Sequence, residues 1–360
     1  MRIIHCPTDT GGNPSGLARA ERILGADSSA AVFVPSWLQY PMDINLRLGS
    51  KSRFGRLIGR CRFGASAIRR YDIFHFNFGE TLLPMLGPIG IDLPLLRLFG
   101  KRIFVTFQGS DARPAAYAPS LDKMSSVGQH RTQGLRRQRD DRAKAWRVAY
   151  LTRYAHKVFC VNPDLLHFVP GAEFVPYASV DPSEIEPTGP TNNARITIAH
   201  APTSRTMKGT EQVLAAAAQL DGKFDVCWLL VEQVPHAEAM RRFRQADLAI
   251  DQLHIGWYGG FAVEMMAMGK PVVCYIREED LRFVPPAMAA ELPIIRATPE
   301  SLTEVLAELL RDRDHLAEIG RLSRCYVQRW HDPIRIARAM LAIYRDSQQS
   351  FWDAFESNST

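Results

Sequence analysis

Short apolar runs alternate with longer amphipathic ones along this chain, and the whole alternation occurs twice. In the first half the strand-like runs are Arg2–Cys6, Ala30–Pro35, Asp72–Phe76, Arg102–Phe107, Lys157–Val161 and Glu173–Val175, with helix-like stretches at about 15–25, 53–69, 131–155 and 163–168. In the second half, strands at Arg195–His200, Phe224–Val231, Asp247–Ile250 and Pro271–Ile276 alternate with helices at 209–220, 236–245 and 260–268; helical patterns at 300–311, 313–329 and 334–347 then close the chain. A strand buried on both faces is a nearly continuous apolar run, and it needs a crossover to reach a parallel neighbour. The pattern therefore selects an α/β architecture of two Rossmann-like, doubly wound domains.

Between the two series lies Asp181–Asn193, with Pro182, Pro187, Pro190 and Gly189 and almost nothing apolar, which reads as a linker. The expected division is 1–180, a linker at 181–194, a second domain at 195–332, and a C-terminal helix and tail at 333–360 that could cross back to the first domain. Sheets of this kind bind ligands outside the carboxyl ends of their strands, so a cleft between two facing domains is the expected site.

Composition narrows the classes. A chain of 360 residues with 46% apolar and 23% charged side chains is long enough for two cores and is not of disordered composition. Met1–Cys6 enters a strand pattern directly, so a secretory leader is not expected. The most apolar stretch, Thr81–Gly100, carries Pro84, Pro88, Pro94, Asp92 and Arg97 and is not expected to span a membrane. The six cysteines are scattered without a C-x-x-C pair and read as thiols of a reducing compartment, so a cytoplasmic location is expected. Charge is uneven: residues 1–180 carry +12 and residues 181–360 carry −6, which suggests that one face meets anions.

Three stretches carry chemistry. Strand one ends in a turn with Gly11 and Gly12 before a helix, with Ser15 as the expected N-cap; such a turn lets backbone N–H groups approach an anion. Arg205 and Lys208 follow a strand and precede a helix, so a guanidinium fork, an ammonium and free N–H groups converge into a phosphate site. From Asp251 to Val273 a glycine- and aromatic-rich loop leads through an apolar helix to Gly269-Lys270-Pro271. Glu264 in that helix is a carboxylate among apolar neighbours and needs a partner: ligand hydroxyls, or a structural ion pair. Glu211, Asp251, Gln252, His75 and His254 are further polar candidates, and Trp257 and Tyr258 either line a pocket or belong to the core.

Taken together, His200-Ala-Pro…Arg205…Lys208-Gly209-Thr210 and Gly256-Trp-Tyr-Gly259…Glu264…Ala267…Gly269-Lys270-Pro271-Val272 resemble the donor half of GT-B glycosyltransferases, most closely the retaining family 4 (glycosyl transferases group 1). Gly11-Gly12 and Phe107-Gln108-Gly109-Ser110-Asp111-Ala112-Arg113 resemble that family's acceptor half. The resemblance implies transfer of a sugar from a nucleotide diphosphate sugar to an acceptor with retention, in cell-surface polysaccharide or glycolipid assembly, with no metal and no other cofactor. It also implies roles. Arg205 and Lys208 would hold the diphosphate and stabilise the leaving group, with Gly209 and Gly259 beside them. Glu264 would bind the ribose, Gly11 and Gly12 would approach donor phosphate or sugar, and Gln108 and Asp111 would lie near the acceptor. Two positions depart from the family: Gly256 stands where a first glutamate is usual, and Gln108 where a histidine is common. Alternatives on the same fold are a nucleotide-sugar epimerase and a non-catalytic sugar-nucleotide-binding protein.

The basic half has its own feature. Residues 51–70 contain Lys51, Arg53, Arg56, Arg60, Arg62, Arg69 and Arg70 and no acid. Read as a helix, Phe54, Leu57, Ile58, Cys61, Ala65 and Ile68 fall on one stripe with Arg53, Arg56 and Arg60 turned away from it. A second basic stretch runs from Arg131 to Arg153. Either these helices pack on the sheet with solvated arginines, or 51–70, helped by the apolar run 81–96, docks on an anionic membrane that carries a lipid-linked or glycan acceptor. No nucleic-acid-binding motif accompanies the charge, so nucleic acid is not expected as a partner.

Overall fold

The computed structural model describes residues 1–83, 90–117, 130–191 and 195–357. Its contacts divide the chain into two compact units. One takes Met1–Tyr117, the segment ending at Ser179 and the stretch from Pro333 onward; the other takes Val180–Asp332.

The first unit is built on a seven-stranded parallel sheet: β1 (Arg2–Cys6), β2 (Asp27–Val32), β3 (Ile44–Asn45), β4 (Ile73–Asn77), β5 (Arg102–Phe107), β6 (Lys157–Cys160) and β7 (Glu173–Phe174), in the order 3-2-1-4-5-6-7. Ile3, Ile4 and Cys6 of β1, Phe74 and Phe76 of β4, and Ile103, Val105 and Phe107 of β5 are completely or almost completely buried, as central strands covered on both faces must be. Strand β2 begins three residues earlier than its apolar run because Ser28 and Ser29 pair with Ile3 and Ile4 through the backbone, while Ser28 Oγ donates to Glu21 at 2.5 Å. The helices are α1 (Asn13–Ile23), α2 (Arg53–Arg70), α3 (Asp92–Leu98) and α4 (His130–Tyr154). Strand order reverses at β1, between β2 and β4, so the loop after β1 sits at the switch point.

Helix α2 starts at Ser52, whose hydroxyl accepts from the N–H of Gly55 at 3.1 Å. Its inward face sets small residues beside Phe63, whose ring meets Phe33 edge-on at 5.3 Å: Gly64 and Ala67 are buried, and a methyl on Gly59 would stand 2.6 Å from Leu48. The apolar stripe at 54, 57, 58, 61 and 65 therefore faces outward, and only Ile68 packs against the core. Arg60, on the opposite side, turns into the fold, with its guanidinium 5.0 Å from the ring centre of Phe33. Within the apolar run 81–96, residues 84–89 lie outside the described residues, as do the side chains of Arg131, Arg136 and Arg137.

The second unit holds a five-stranded parallel sheet of β8 (Ile196–His200), β9 (Val226–Leu230), β10 (Leu248–Ile250), β11 (Val272–Cys274) and β12 (Ile295–Arg296), in the order 12-11-10-8-9. Its helices are α5 (Arg205–Lys208), α6 (Thr210–Leu220), α7 (His236–Phe243), α8 (Gly260–Ala267), α9 (Pro286–Ala290), α10 (Leu302–Leu309) and α11 (Arg313–Trp330). Ile198, Leu248, Ile250, Val273, Leu302 and Leu306 form its core. The last helices, α12 (Pro333–Arg345) and α13 (Phe351–Glu356), fall in the first unit. There Tyr344 of α12 meets Nδ1 of His75 at 2.5 Å, and Nε2 of the same ring meets Thr106 at 2.7 Å. That buried network uses both ring nitrogens of His75, whose pKa is held well below the usual histidine value by burial. His75 is a core residue. Among the described residues no helix is long and apolar enough to cross a membrane.

Candidate functional site

In the second sheet the chain leaves β8 toward β9 on one side and returns to β10 on the other. The loops after β8 and β10 are thereby brought together at the carboxyl ends of the strands. They cross closely. The N–H of Leu253 donates to the carbonyl of Lys208 at 3.3 Å. Gly209, at φ +76, has room for no side chain, because a Cβ there would lie 3.0 Å from Leu253 and 3.2 Å from His254 Nε2.

Asp251 organises this crossing. Its carboxylate is buried; Oδ1 accepts from Lys208 Nζ at 2.5 Å and Oδ2 from the N–H of Gly259 at 2.6 Å. The ammonium is thus fixed over Gly259, 3.2 Å from where a Cβ would be, at the mouth of α8. Gln252 holds the other end of the same loop through the carbonyl of Trp257. An ammonium, the N-terminal N–H groups of a helix and a glycine that bares its backbone form an arrangement suited to an anion.

Arg205 stands in the short α5 with about half its side chain exposed. Its fork is engaged by Glu232, Nε to Oε1 at 2.9 Å and Nη2 to Oε2 at 2.7 Å, with Glu211 farther off at 3.9 Å. The hydrogen bond and charge of Glu232 raise the arginine's pKa above its ordinary value, and the same contact holds the Glu232 carboxyl below its own. Phosphate oxygens would use the same two donors, and a solvated pair of this kind opens at little cost.

Glu264 is buried in α8 and its carboxylate meets His236 Nε2 of α7 at 2.6 Å. The structure therefore supplies a protein partner for this carboxylate, the ion pair that the sequence reading set beside ligand hydroxyls as the alternative. Burial works against a charged His236, but the hydrogen bond and charge of Glu264 outweigh it, so its pKa lies above the ordinary 6.5. A histidine so raised adds stability that is fully present below pH 6.5 and is lost as the pH rises through its folded-state value. The melting-temperature gap between the wild type and His236→Asn is thus expected to be widest below pH 6.5 and to close at alkaline pH. A pH-independent gap would show that the pair contributes no charge-dependent stability.

His200 has a structural task. Burial lowers its pKa, so the ring is neutral; Nδ1–H donates to the carbonyl of Ile250 at 2.8 Å, and Nε2 accepts from the hydroxyl of Thr210 at 2.9 Å. That ring ties β8 to β10 and to the start of α6. His254 meets Gln212 at 3.3 Å through Nε2. Trp257 and Tyr258 are core, not pocket lining. Both are buried, their rings stack at 4.5 Å, and the Tyr258 hydroxyl meets His331 at 2.9 Å and Tyr326 at 3.1 Å. Gly256 has a physical reason to be glycine: its φ is +89, and a Cβ there would stand 2.9 Å from Cβ of Arg277.

In the first unit the loop after β1 carries Gly11 at φ +61 and Gly12 at φ +68. A methyl on Gly12 would strike the ring of Tyr40 at 2.7 Å, and one on Gly11 would face Gln108 Oε1 at 3.9 Å. Helix α1 begins at Asn13, earlier than the sequence suggests, with Gly12 in the cap position. Ser15 is not the cap, and its hydroxyl instead donates to the carbonyl of Gly12 at 3.0 Å. Gln108 at the end of β5 donates from Nε2 to Asn77 Oδ1 at 3.2 Å. Asp111 is buried and accepts from the N–H of Gln108 at 3.1 Å and of Gly109 at 2.6 Å, stapling the turn. Burial pushes its pKa up to about 6 against those hydrogen bonds. Gly11, Asn77 and Gln108 are thereby brought together at the ends of β1, β4 and β5.

Sequence reasoning missed His236 and Glu232. Each lies just after β9, at the same sheet end as Arg205, so their place in the alternation was the available signal.

Neither a family model nor any curated protein matches the sequence. Solved structures do match the fold. Sucrose-phosphate synthase from Thermosynechococcus elongatus is similar over 97% of this chain and 99% of its own, at TM-score 0.64 and 16% identity. Anabaena HepE in complex with UDP-glucose is similar over 96% and 100%, at TM-score 0.61 and 13% identity. An alpha-glucosyltransferase in complex with UDP and a 13-mer DNA follows over 96% and 99%, at TM-score 0.56 and 11% identity. These neighbours are GT-B glycosyltransferases, and the fold of this chain is GT-B: two Rossmann-like units, each on a parallel sheet.

Proposed function

We propose that this protein is a glycosyltransferase that moves a sugar from a nucleotide diphosphate sugar to an acceptor with retention at the anomeric carbon, in the assembly of a cell-surface polysaccharide or glycolipid. The observation that carries the reading is the Lys208–Asp251–Gly259 crossing at the switch point of the second sheet, with Arg205 in the same loop and Glu264 in the helix that Gly259 opens. Neighbours of the same fold hold UDP-glucose or UDP.

In this reading the ammonium of Lys208 and the N–H groups at the start of α8 receive the diphosphate, and Arg205 exchanges Glu232 for phosphate oxygens. As the glycosidic bond breaks, negative charge grows on the leaving oxygen, and fixed cations stabilise it more than they stabilise the bound donor. Gly209 lets the two loops cross, and Gly259 bares its backbone to the anion. Glu264, oriented by His236, accepts the ribose hydroxyls. On the first unit, Gly11 and Gly12 bring backbone toward the donor, Gln108 offers its amide toward a lipid-linked or glycan acceptor, and Asp111 fixes the turn that presents Gln108. A cytoplasmic location suits the nucleotide donor.

The test is thermal shift with a panel of nucleoside diphosphates and their sugar esters, followed by NMR of the product's anomeric configuration. Stabilisation by one sugar nucleotide, with release of its nucleoside diphosphate during turnover, is expected. A panel in which nothing stabilises the protein sinks the reading, and an inverted product removes retention.

A further inference from the structure

The outer face of α2 and α3 is built against the usual economy of a water-soluble surface. Phe54 on α2 is 72% exposed and Leu57 and Ile58 lie beside it; on and next to α3, Leu98 is 80% and Phe99 56% exposed, with Ile91 and Leu95 also open. Scattered surface apolars are ordinary, but seven large ones on α2, on α3 and at the two caps of α3 are not. Between the helices runs a groove of about 660 Å³, floored by Gly64, Ile68, Leu82, Leu95 and Phe99 and rimmed by Arg60, Arg69 and Lys101. Arg62, Arg69 and Arg70 line an open shelf beside it.

The charges show which occupant fits. Residues 51–70 carry seven cations and no anion. Two acids bear on the groove: Asp92, which is buried and accepts from the N–H groups of Leu83 at 2.9 Å and Leu93 at 3.0 Å, and Glu80, which pairs with Arg60 at 3.4 Å and leaves the other cations of the face in excess. A second copy of this face would bring like charges together, whereas an anionic lipid surface supplies both the opposite charge and an apolar phase. The helix also has the composition of an interfacial element, with bulky apolar residues along one stripe and arginines flanking it.

We propose that the α2–α3 face docks this protein on an anionic lipid bilayer, with both helices lying in the interfacial plane and an acyl chain seated in the groove between them. Phe54, Leu57 and Leu98 enter the acyl boundary, and Arg62, Arg69 and Arg70 meet headgroup phosphates. The proposal stands independently of the transferase reading, because none of these residues belongs to the loops at the strand ends.

The full chain is floated with vesicles of phosphatidylcholine alone and of phosphatidylcholine mixed with phosphatidylglycerol, at low and raised salt. Recovery with the mixed vesicles only, weakened by salt, is expected. Phe54→Ser with Leu57→Ser lowers that affinity about tenfold or more by removing inserted apolar area. Arg62→Glu with Arg69→Glu lowers it at least about tenfold by charge. All four positions are exposed, so melting temperatures and donor-induced shifts stay at the wild-type values. Equal recovery with both vesicle types overturns the proposal, as does recovery unchanged in both double variants. A dimer in sedimentation that the Phe54→Ser, Leu57→Ser variant disperses, without vesicle binding, assigns the face to a second copy instead.

Discussion

Replacing Lys208 by alanine is expected to lower kcat/KM about 10²–10³-fold, the range found when one preorganised donor to a developing negative charge is removed. In the proposed role the loss falls mainly on the transition state, where charge on the leaving oxygen is greatest, and the ammonium is already held at the mouth of α8 by Asp251. The same substitution leaves Asp251 buried with one partner, the N–H of Gly259, so stability falls as well, by about 3 kcal/mol on the scale of broken buried pairs. The two effects separate in a second variant. Adding Asp251→Asn to Lys208→Ala removes the stranded charge and should recover much of the melting temperature, while the rate stays low. A Lys208→Ala variant within a factor of about ten of wild type would falsify the proposed leaving-group role.

That prediction joins a residue the sequence marked to one it left in second rank. The motif around Lys208 is legible because strand, loop and helix follow one another in order, and chemistry at a strand's carboxyl end is a property of the fold. Asp251, His236 and Glu232 come from other elements, and only the strand order puts them within reach of Lys208, Glu264 and Arg205. Central strands were legible for the reason that they are central: burial on both faces removes every polar alternative. The two-residue edges β3 and β12 carry too few residues for a pattern, whereas β7 falls within the strand-like run Glu173–Val175. Helix α3 has no counterpart in the sequence pattern, because Pro94 interrupts the apolar run, although it stands in the first turn, where a proline's missing N–H has no partner to lose. In α2 the membership of the apolar stripe was plain but its direction was not. Gly59, Gly64 and Ala67 decide it by letting the helix lie close to its neighbours, and small residues carry little hydrophobic signal.

Lys270→Met is expected to destabilise the protein by about 3 kcal/mol, through a mechanism the Gly-Lys-Pro sequence does not disclose. The residue is completely buried, and its ammonium donates to the carbonyls of Gly189 and Arg244, each at 3.1 Å, and of Ala246. Those carbonyls belong to the approach to the second sheet and to the turn between α7 and β10, so one side chain fastens two irregular backbones that no ladder satisfies. Methionine keeps the stem's apolar volume and strands three acceptors, each at the cost of a buried unmet hydrogen bond. Burial also lowers the lysine's pKa from 10.5 to about 8. A depressed folded-state value means that the unfolded chain binds more protons between the two, so the wild type gains stability as the pH climbs from about 8 toward 10.5. Lys270→Met lacks that gain, and the gap between their unfolding free energies should widen with pH over this window. Chemical denaturation across the window reads the gap directly, and a constant or narrowing difference would mean that the amine keeps its ordinary proton affinity inside the fold.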